Sequence, residues 1–409
     1  MSKKKKYTWD DINSPPKIDN HSLVKLDIIE KYIEIYLRHL TKSFYVGNFK
    51  LTIIDGFAGG GLYEGGITGS PIRAKETIDK ITQIINFEKE QSNCKKVHFD
   101  IDYIFIEKDK GTFIFLNKTL RNRGIAHANV ECINGEFTRH LDTILSRVSK
   151  KSRGGRSIFI LDQYGYKDAP IKDINKIFKQ LVKTEVILTF STDSLIDYLS
   201  ECNISTLEKM GLTKQQCAEL LNIREDNDYT RSKIQPLLYR SVIEQAGAPF
   251  YTPFFIKSDL TNRSYWLFHF SMHPLARDEM IGLHWNKQNT FQHFGSAGLN
   301  MLLGYNSDYR FNLFEFDNFA KEKTLKCLSD ELPLVVKNKK IIQFDMLKNE
   351  IMNGTPAKTD HIKEVLINLA QNNIIKIQDS KNNTQRKSIN TIKDNDLIKY
   401  NGQKIFIFS

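Results

Sequence analysis

Five short apolar runs alternate with helix-like stretches in the first half of the chain, and this alternation is the strongest constraint on its fold. The runs are Lys50–Asp55, Phe99–Ile106, Asn129–Ile133, Ser157–Leu161 and Glu185–Phe190. Between them lie amphipathic stretches: Ser70 to about Phe87, Lys110–Arg123 before Gly124, Phe137–Val148 and Ile171–Leu181. A further helix, Leu23–Leu40 with Ser22 as its cap, precedes the first strand. Apolar strands separated by helices need crossover connections, so they pair in parallel. The expected class is α/β, a doubly wound, mostly parallel, Rossmann-like sheet. Phe250–Lys257 and Ser264–Ser271 flank Leu260–Arg263 and read as an antiparallel hairpin closing that sheet.

The first strand runs directly into Asp55-Gly-Phe57-Ala58-Gly59-Gly-Gly61, a D-x-F-x-G-x-G pattern. Glycines serve where the chain turns sharply and a ligand approaches the backbone. The pyrophosphate signature G-x-G-x-x-G fails, because Glu64 stands three residues after Gly61, and no G-K-[ST] follows. The aromatic Phe57 with Gly59 and Gly61 suits S-adenosylmethionine, a cationic sulfonium that favours carboxylates and backbone groups over a phosphate-binding helix end. Asp55 either accepts from a ligand amine or anchors the turn. Glu107, closing the second strand, is placed for ribose hydroxyls; its alternative is a solvated strand-end charge. Glu136 and Phe137 follow the third strand and offer a polar group and an apolar wall for adenine. After the fourth strand come Asp162-Gln163-Tyr164-Gly-Tyr166. In doubly wound sheets ligands sit outside the carboxyl ends of the strands, so Asp162 is the candidate holder of a target amine and Tyr164 the candidate stacking ring. Gln163 and Tyr166 are candidate substrate contacts, with loop packing as the alternative for both tyrosines. His273, before Pro274 at a strand end, is a further substrate candidate. No metal site is expected: His269, His273, His284 and His293 fit no standard zinc spacing.

The net charge is +11, which favours an anionic partner, most simply nucleic acid; a Lys- and Asn-rich genome bias is the alternative. Between Lys339 and Lys404 twelve Lys and Arg stand against seven Asp and Glu. In this region Ile342–Met352 and Thr359–Gln371 read as helices, Ile374–Gln378 as a strand, Ser380–Lys387 as a basic hairpin tip and Gln403–Phe408 as a closing strand. That is the order of a winged helix-turn-helix. Lys363, Lys381, Arg386 and Lys387 are its candidate phosphate contacts; a protein interface is the alternative use. The five cysteines are odd in number and scattered, which excludes a disulfide scaffold. No membrane-length apolar run and no secretory h-region occur, and the expected compartment is a reducing cytoplasm. The expected organisation is a flexible basic arm over 1–20, loose or ordered on contact. A methyltransferase-like domain over 21–290 follows, with a helical insertion at 193–245. A connecting region over 291–340 and the winged helix over 341–409 complete the chain.

Together these residues resemble the three-Cys-motif partner protein (TcmP) family. The resemblance rests on Ile54–Tyr63, Gly69-Ser-Pro71, Leu161–Gly165, His273-Pro274 and the helix bearing Lys25. It implies a class I methyltransferase-like fold with S-adenosylmethionine as the cofactor, and a separate three-cysteine, radical-SAM-like protein as partner. A more distant similarity, to ribosomal-RNA adenine N6 methyltransferases, runs through the glycine block and Asp162-x-Tyr164. Gln163 departs from their D-P-P-Y pattern. The function expected is methyl transfer to an amino group of a base in DNA or RNA. The alternative is a catalytically weak adaptor that delivers the partner protein to nucleic acid.

Overall fold

The computed structural model describes residues 7–163 except 12, 168–191, 240–257, 264–287, 291–293, 297–301 and 314–401, with isolated positions between 204 and 222. The chain divides into two compact units, Met1–Leu283 and His284–Ser409.

The first unit begins with α1 (Asn20–Thr41) and continues β1 (Asn48–Asp55), α2 (Ser70–Gln91), β2 (His98–Glu107), α3 (Lys110–Asn122), β3 (Val130–Asn134) and α4 (Phe137–Lys151). It then runs through β4 (Ser157–Asp162), α5 (Ile171–Gln180), β5 (Thr184–Ser191), β6 (Phe250–Lys257), β7 (Ser264–Ser271) and α6 (Pro274–Asn286). The strands lie in the order β3-β2-β1-β4-β5-β7-β6. β1 to β5 are parallel, and β7 is antiparallel to both β5 and β6. This order with one reversed strand is the class I methyltransferase sheet. Burial explains the composition of the central strands: Leu51, Ile53, Ile54, Phe105, Ile106 and Ile158–Leu161 are all but inaccessible, because helices cover both faces of a parallel sheet.

Local chemistry sets the helix boundaries. Pro71 sits in the first turn of α2, where its missing N–H costs nothing. Asp109 caps α3 by accepting from the Thr112 N–H at 2.9 Å, and Gly124 leaves the helix at φ +65°.

Residues 7–20 are not a loose arm. Trp9 and Ile18 are buried, and the Tyr7 hydroxyl accepts from the Asp19 N–H at 3.2 Å. The basic residues 1–6, most of the proposed 193–245 insertion and the Leu260–Arg263 turn lie outside the described residues.

In the second unit, β8 (Phe291–His293) pairs antiparallel with β9 (Phe314–Glu315). The chain continues α7 (Asn318–Lys339), β10 (Ile341–Gln343), α8 (Phe344–Ile351), α9 (Thr359–Gln371), β11 (Ile375–Gln378) and β12 (Leu397–Tyr400). The last three strands form a sheet ordered β10-β12-β11. One core joins Leu328, Leu332 and Val336 of α7 to Leu347, Ile362, Val365, Ile377 and Ile398. The helix placed by sequence in a connecting region thus belongs to the winged-helix core. It runs past Leu328 through Pro333 because Leu328, Leu332 and Val336 recur on one face. The strand pairing with β11 is Leu397–Tyr400; Gln403–Phe408 lies outside the described residues.

The wing is closed by charge. Arg386 binds Asp396 through Nε at 2.8 Å and Nη2 at 2.9 Å, and Asp379 through Nη2 at 2.5 Å. Asp396 is fully buried. Arg386→Ala strands that carboxylate without its partner. Amide exchange in β11 and β12 of the full chain is then expected to accelerate; unchanged protection contradicts the assignment.

Candidate functional site

A cavity of about 680 Å³ opens at the carboxyl ends of β1, β2, β3 and β4. Its size is that of a small-molecule site. One wall is the turn Gly56–Gly59 with Glu107, Asp109, Gly135, Glu136 and Phe137. The other carries Asp162, Gln163 and Thr189, and the N-terminal segment and α1 close it with Tyr7, Trp9, Ile18, His21 and Lys25.

The glycine turn is held from below and beside. Asp55 is fully buried, and its Oδ1 accepts from the Phe57 N–H at 3.1 Å. It lies beneath the turn rather than among the cavity-lining residues, which is the anchoring arrangement of the two read from sequence. Its Oδ2 has no hydrogen-bond partner among the described residues. Burial pushes its pKa up to about 7 against the opposing influence of Ser70 and the Phe57 N–H; Asp162 and Glu107 add to the rise. Glu107 lines the cavity. Its Oε2 accepts from the Gly59 N–H at 3.1 Å and its Oε1 from the Asp109 N–H at 2.7 Å. Burial raises its pKa. Each oxygen keeps a second acceptor direction, so the carboxylate can fasten the loop and still hold a diol. Gly59 and Gly61 have φ of +58° and +74°, a region that disfavours side chains.

The apolar wall is Phe57 against Phe137, ring centroids 6.1 Å apart. Phe137 is buried and Ala58 lies at 4% exposure in the turn. Glu136 lines the cavity, but its carboxylate is half-exposed and pairs with Arg139 at 2.8 Å.

On the opposite wall, the ammonium of Lys25 meets both oxygens of Asp162 at 2.5 and 2.7 Å. Lys25 comes from α1, ahead of the sheet, and its side chain is 7% exposed. Gln163 is buried, and its Oε1 accepts from the Asp168 and Ala169 N–H groups at 3.1 and 3.0 Å. Lys108 pairs with Asp168 at 2.9 Å. Tyr164 and Tyr166 lie outside the described residues.

The roof escaped sequence reasoning. Trp9 donates from Nε1 to the Leu62 carbonyl at 2.7 Å and forms an aromatic cluster with Tyr7 and Tyr63, centroids 5.4 to 5.8 Å apart. Its signal was two aromatics within an otherwise polar leader.

His273 is not among the cavity-lining residues. β7 runs against β5, with Ser271 opposite Glu185 near the start of β5, so its end falls at the opposite edge of the sheet. The exposed His273 instead accepts from the Leu275 N–H at 3.2 Å at the start of α6. The candidate phosphate contacts divide. Arg386 is spent inside the wing, which corrects its reading as a contact. Lys381 and Lys387 are exposed, and Lys363 lies partly buried over the Phe344 ring, Nζ 5.6 Å from its centroid.

A cationic sulfonium nucleoside fits this cavity: carboxylates at two strand ends, an aromatic wall and a glycine turn carry the needed chemistry. Among the described residues no helix is long and apolar enough to cross a membrane.

A family model described as a GMT-like wHTH domain matches residues 305–382. No curated protein matches the chain. Among solved structures it is similar to LPL1258 of Legionella pneumophila, 14% identical over 63% of this chain and 89% of that one, TM-score 0.33. It is also similar to M. jannaschii TYW2 in complex with AdoMet, 12% identical over 62% and 76%, TM-score 0.29. A human methyltransferase 10 domain containing protein is 10% identical over 64% and 90%, TM-score 0.31. These overlaps are loose, and the fold assignment rests on the strand order of this chain's own sheet.

Asp55 supplies a pH test. An acid with a raised folded pKa stabilises the fold fully below its unfolded value of 3.8 and loses that contribution as pH rises through about 7. Asp55→Asn keeps the acceptor for Phe57 and removes the titration. The melting temperature of the variant relative to wild type is expected to climb between pH 5 and pH 8; a flat difference contradicts the assignment.

Proposed function

We propose that this chain is an S-adenosylmethionine-dependent methyltransferase acting on an amino group of a base in DNA or RNA, with the winged helix as its nucleic-acid-binding module. One observation carries the reading: the glycine turn fastened by Glu107 and the acidic strand end Asp162 line a single cavity at the carboxyl edge of the sheet. When bound, S-adenosylmethionine supplies an electrophilic methyl group. The chain's own residues bind and orient. Glu107 holds the ribose hydroxyls while keeping Gly59 in place. Phe57 and Phe137 give the adenine an apolar surface. Asp162 accepts from the target amine and aligns its lone pair, a proximity effect rather than acid–base chemistry. An amine sheds its proton after transfer, so the reaction needs no dedicated base.

Titration calorimetry tests the cofactor site. Wild type is expected to bind S-adenosylmethionine, and Glu107→Ala to bind about tenfold or more weakly, having lost a charged acceptor and its grip on the turn. No binding by wild type overturns the proposal.

A second reading, a catalytically weak adaptor serving a three-cysteine protein, draws on the Lys25–Asp162 pair, which occupies both carboxylate oxygens. Binding of cofactor and nucleic acid without label transfer from [methyl-3H]S-adenosylmethionine selects this reading. In either case the exposed Lys381 and Lys387 are the wing's phosphate contacts. Replacing each with Ala is expected to flatten the dependence of log K on log salt by about 0.9 per lysine on duplex DNA. An unchanged slope removes the wing from the interface.

A further inference from the structure

Gln163 holds a group that the loop geometry does not use. Its Oε1 accepts from two backbone N–H groups, those of Asp168 and Ala169. Two donors on one side of the amide identify that side as oxygen, and the other as the NH2. That Nε2 is buried and finds no hydrogen-bond partner among the described residues, although Gln163 is 2% exposed and lines the cavity. A buried amide donor without an acceptor loses its hydration with nothing in return. Its backbone bonds keep it from rotating to find one. A donor held in this way, on a residue that lines the cavity, is prepared for an acceptor on a ligand that displaces the wall over it.

The neighbouring residue narrows the ligand. Asp162 accepts from Lys25 with both oxygens, and its side chain is 29% exposed, so acceptor capacity remains. Its negative charge, however, is already matched by an ammonium. An aliphatic ammonium, such as a lysine side chain or a polyamine, meets Lys25 as a like charge and brings no acceptor for Gln163. A neutral amino group conjugated to a ring nitrogen brings both a donor and an adjacent acceptor.

We propose that Gln163 is a specificity-determining residue that reads the amidine edge of an extruded adenine or cytosine, donating from Nε2 to the ring nitrogen beside the amino group that Asp162 accepts. This rests on the methyl-transfer reading and names its substrate class. The pair fixes the base in its plane and turns the amino nitrogen toward the cofactor. In the transfer, the nitrogen lone pair forms the new C–N bond as the S–CH3 bond breaks. S-adenosylhomocysteine leaves, and the proton shed by nitrogen passes to solvent at the exposed side of Asp162. Lys25 is a positioning residue here: it orients the carboxylate and keeps out cationic amines.

The test uses the full chain, [methyl-3H]S-adenosylmethionine and single-stranded oligonucleotides of dA, dC or dT, their RNA counterparts and a lysine-rich peptide. Label is expected in an A or C strand and absent from T, U and peptide. Gln163→Glu keeps the acceptor for the two backbone N–H groups and replaces the donor with an oxygen. It is expected to lower the melting temperature, because a second carboxyl joins Asp162 in a buried place, while the folded variant still binds cofactor and loses about tenfold or more in kcat/KM. Removing the acceptor from the substrate (1-deazaadenine or 3-deazacytosine) is expected to lower wild-type kcat/KM similarly, and to add little in the Gln163→Glu variant, because one contact is lost in both cases. Label on T, U or peptide overturns the edge-reading proposal and leaves methyl transfer standing. So does a Gln163→Glu defect confined to cofactor Kd, which assigns the donor to the cofactor. Failure of wild type to bind S-adenosylmethionine sinks both readings together.

Discussion

Three neighbouring parallel strands, β2, β1 and β4, end in Glu107, Asp55 and Asp162, and parallel pairing brings those ends to one edge of the sheet. Like charges gathered in a partly desolvated place repel, and the site is organised by how each is neutralised. Asp55 is buried beneath the glycine turn, where burial and its two acidic neighbours raise its pKa to about 7, so it is largely protonated in mildly acidic solution. Glu107 spends its charge on two backbone N–H groups. Asp162 takes the ammonium of Lys25. Three carboxylates in similar positions thus become an anchor, a loop clamp with acceptor capacity left over, and one half of an ion pair.

The same division explains what could be read from the sequence. The strand alternation and the Asp55–Gly61 turn were legible because their causes are local: a buried strand needs an apolar run, and a left-handed turn favours glycine at 59 and 61. Lys25 entered only through a resemblance, since nothing local says that a lysine on α1 reaches the end of β4. The roof formed by Trp9 is hidden for the same reason: a polar stretch with two prolines reads as loose, and contacts such as that with a turn 53 residues away order it. His273 lies away from the cavity because β7 is antiparallel to β5. A reversed strand ends at the wrong edge.

Counting charges along the chain does not by itself locate an interface. The basic excess of the last seventy residues is a property of the chain, while an interface depends on charges left unpaired. Arg386 bridges Asp379 and Asp396, Lys348 pairs with Asp345 and Asp394, and Lys358 pairs with Asp360. The helix α9 carries Asp360 and Glu364 beside Lys363. Among the described residues of this stretch, the basic side chains that remain exposed are Lys381, Lys387 and Lys393 between β11 and β12, Lys376 in β11 and Lys340. A backbone contact made by two or three lysines reads no sequence by itself. The buried polar groups of the other unit, with their charges fixed, line its cavity instead.

The glycine turn also shows why a motif can be right for a reason other than the one that suggested it. A run of three glycines invites a single explanation, the close approach of a ligand. Two of them, Gly59 and Gly61, have positive φ and answer to conformation. Gly60 is not among the positive-φ glycines, and a Cβ placed on it would lie 2.3 Å from Cδ1 of Trp9. Its lack of a side chain serves the indole. Gly59 answers to both, since its Cβ would also approach the indole, at 3.1 Å. The turn therefore binds on two sides: Glu107 grips its amide from the sheet and Trp9 covers its carbon surface from the N-terminal segment. That places the aromatic residues of the N-terminal segment within the architecture of the cavity, so its arrangement depends on a segment that precedes the first strand and contributes nothing to the sheet.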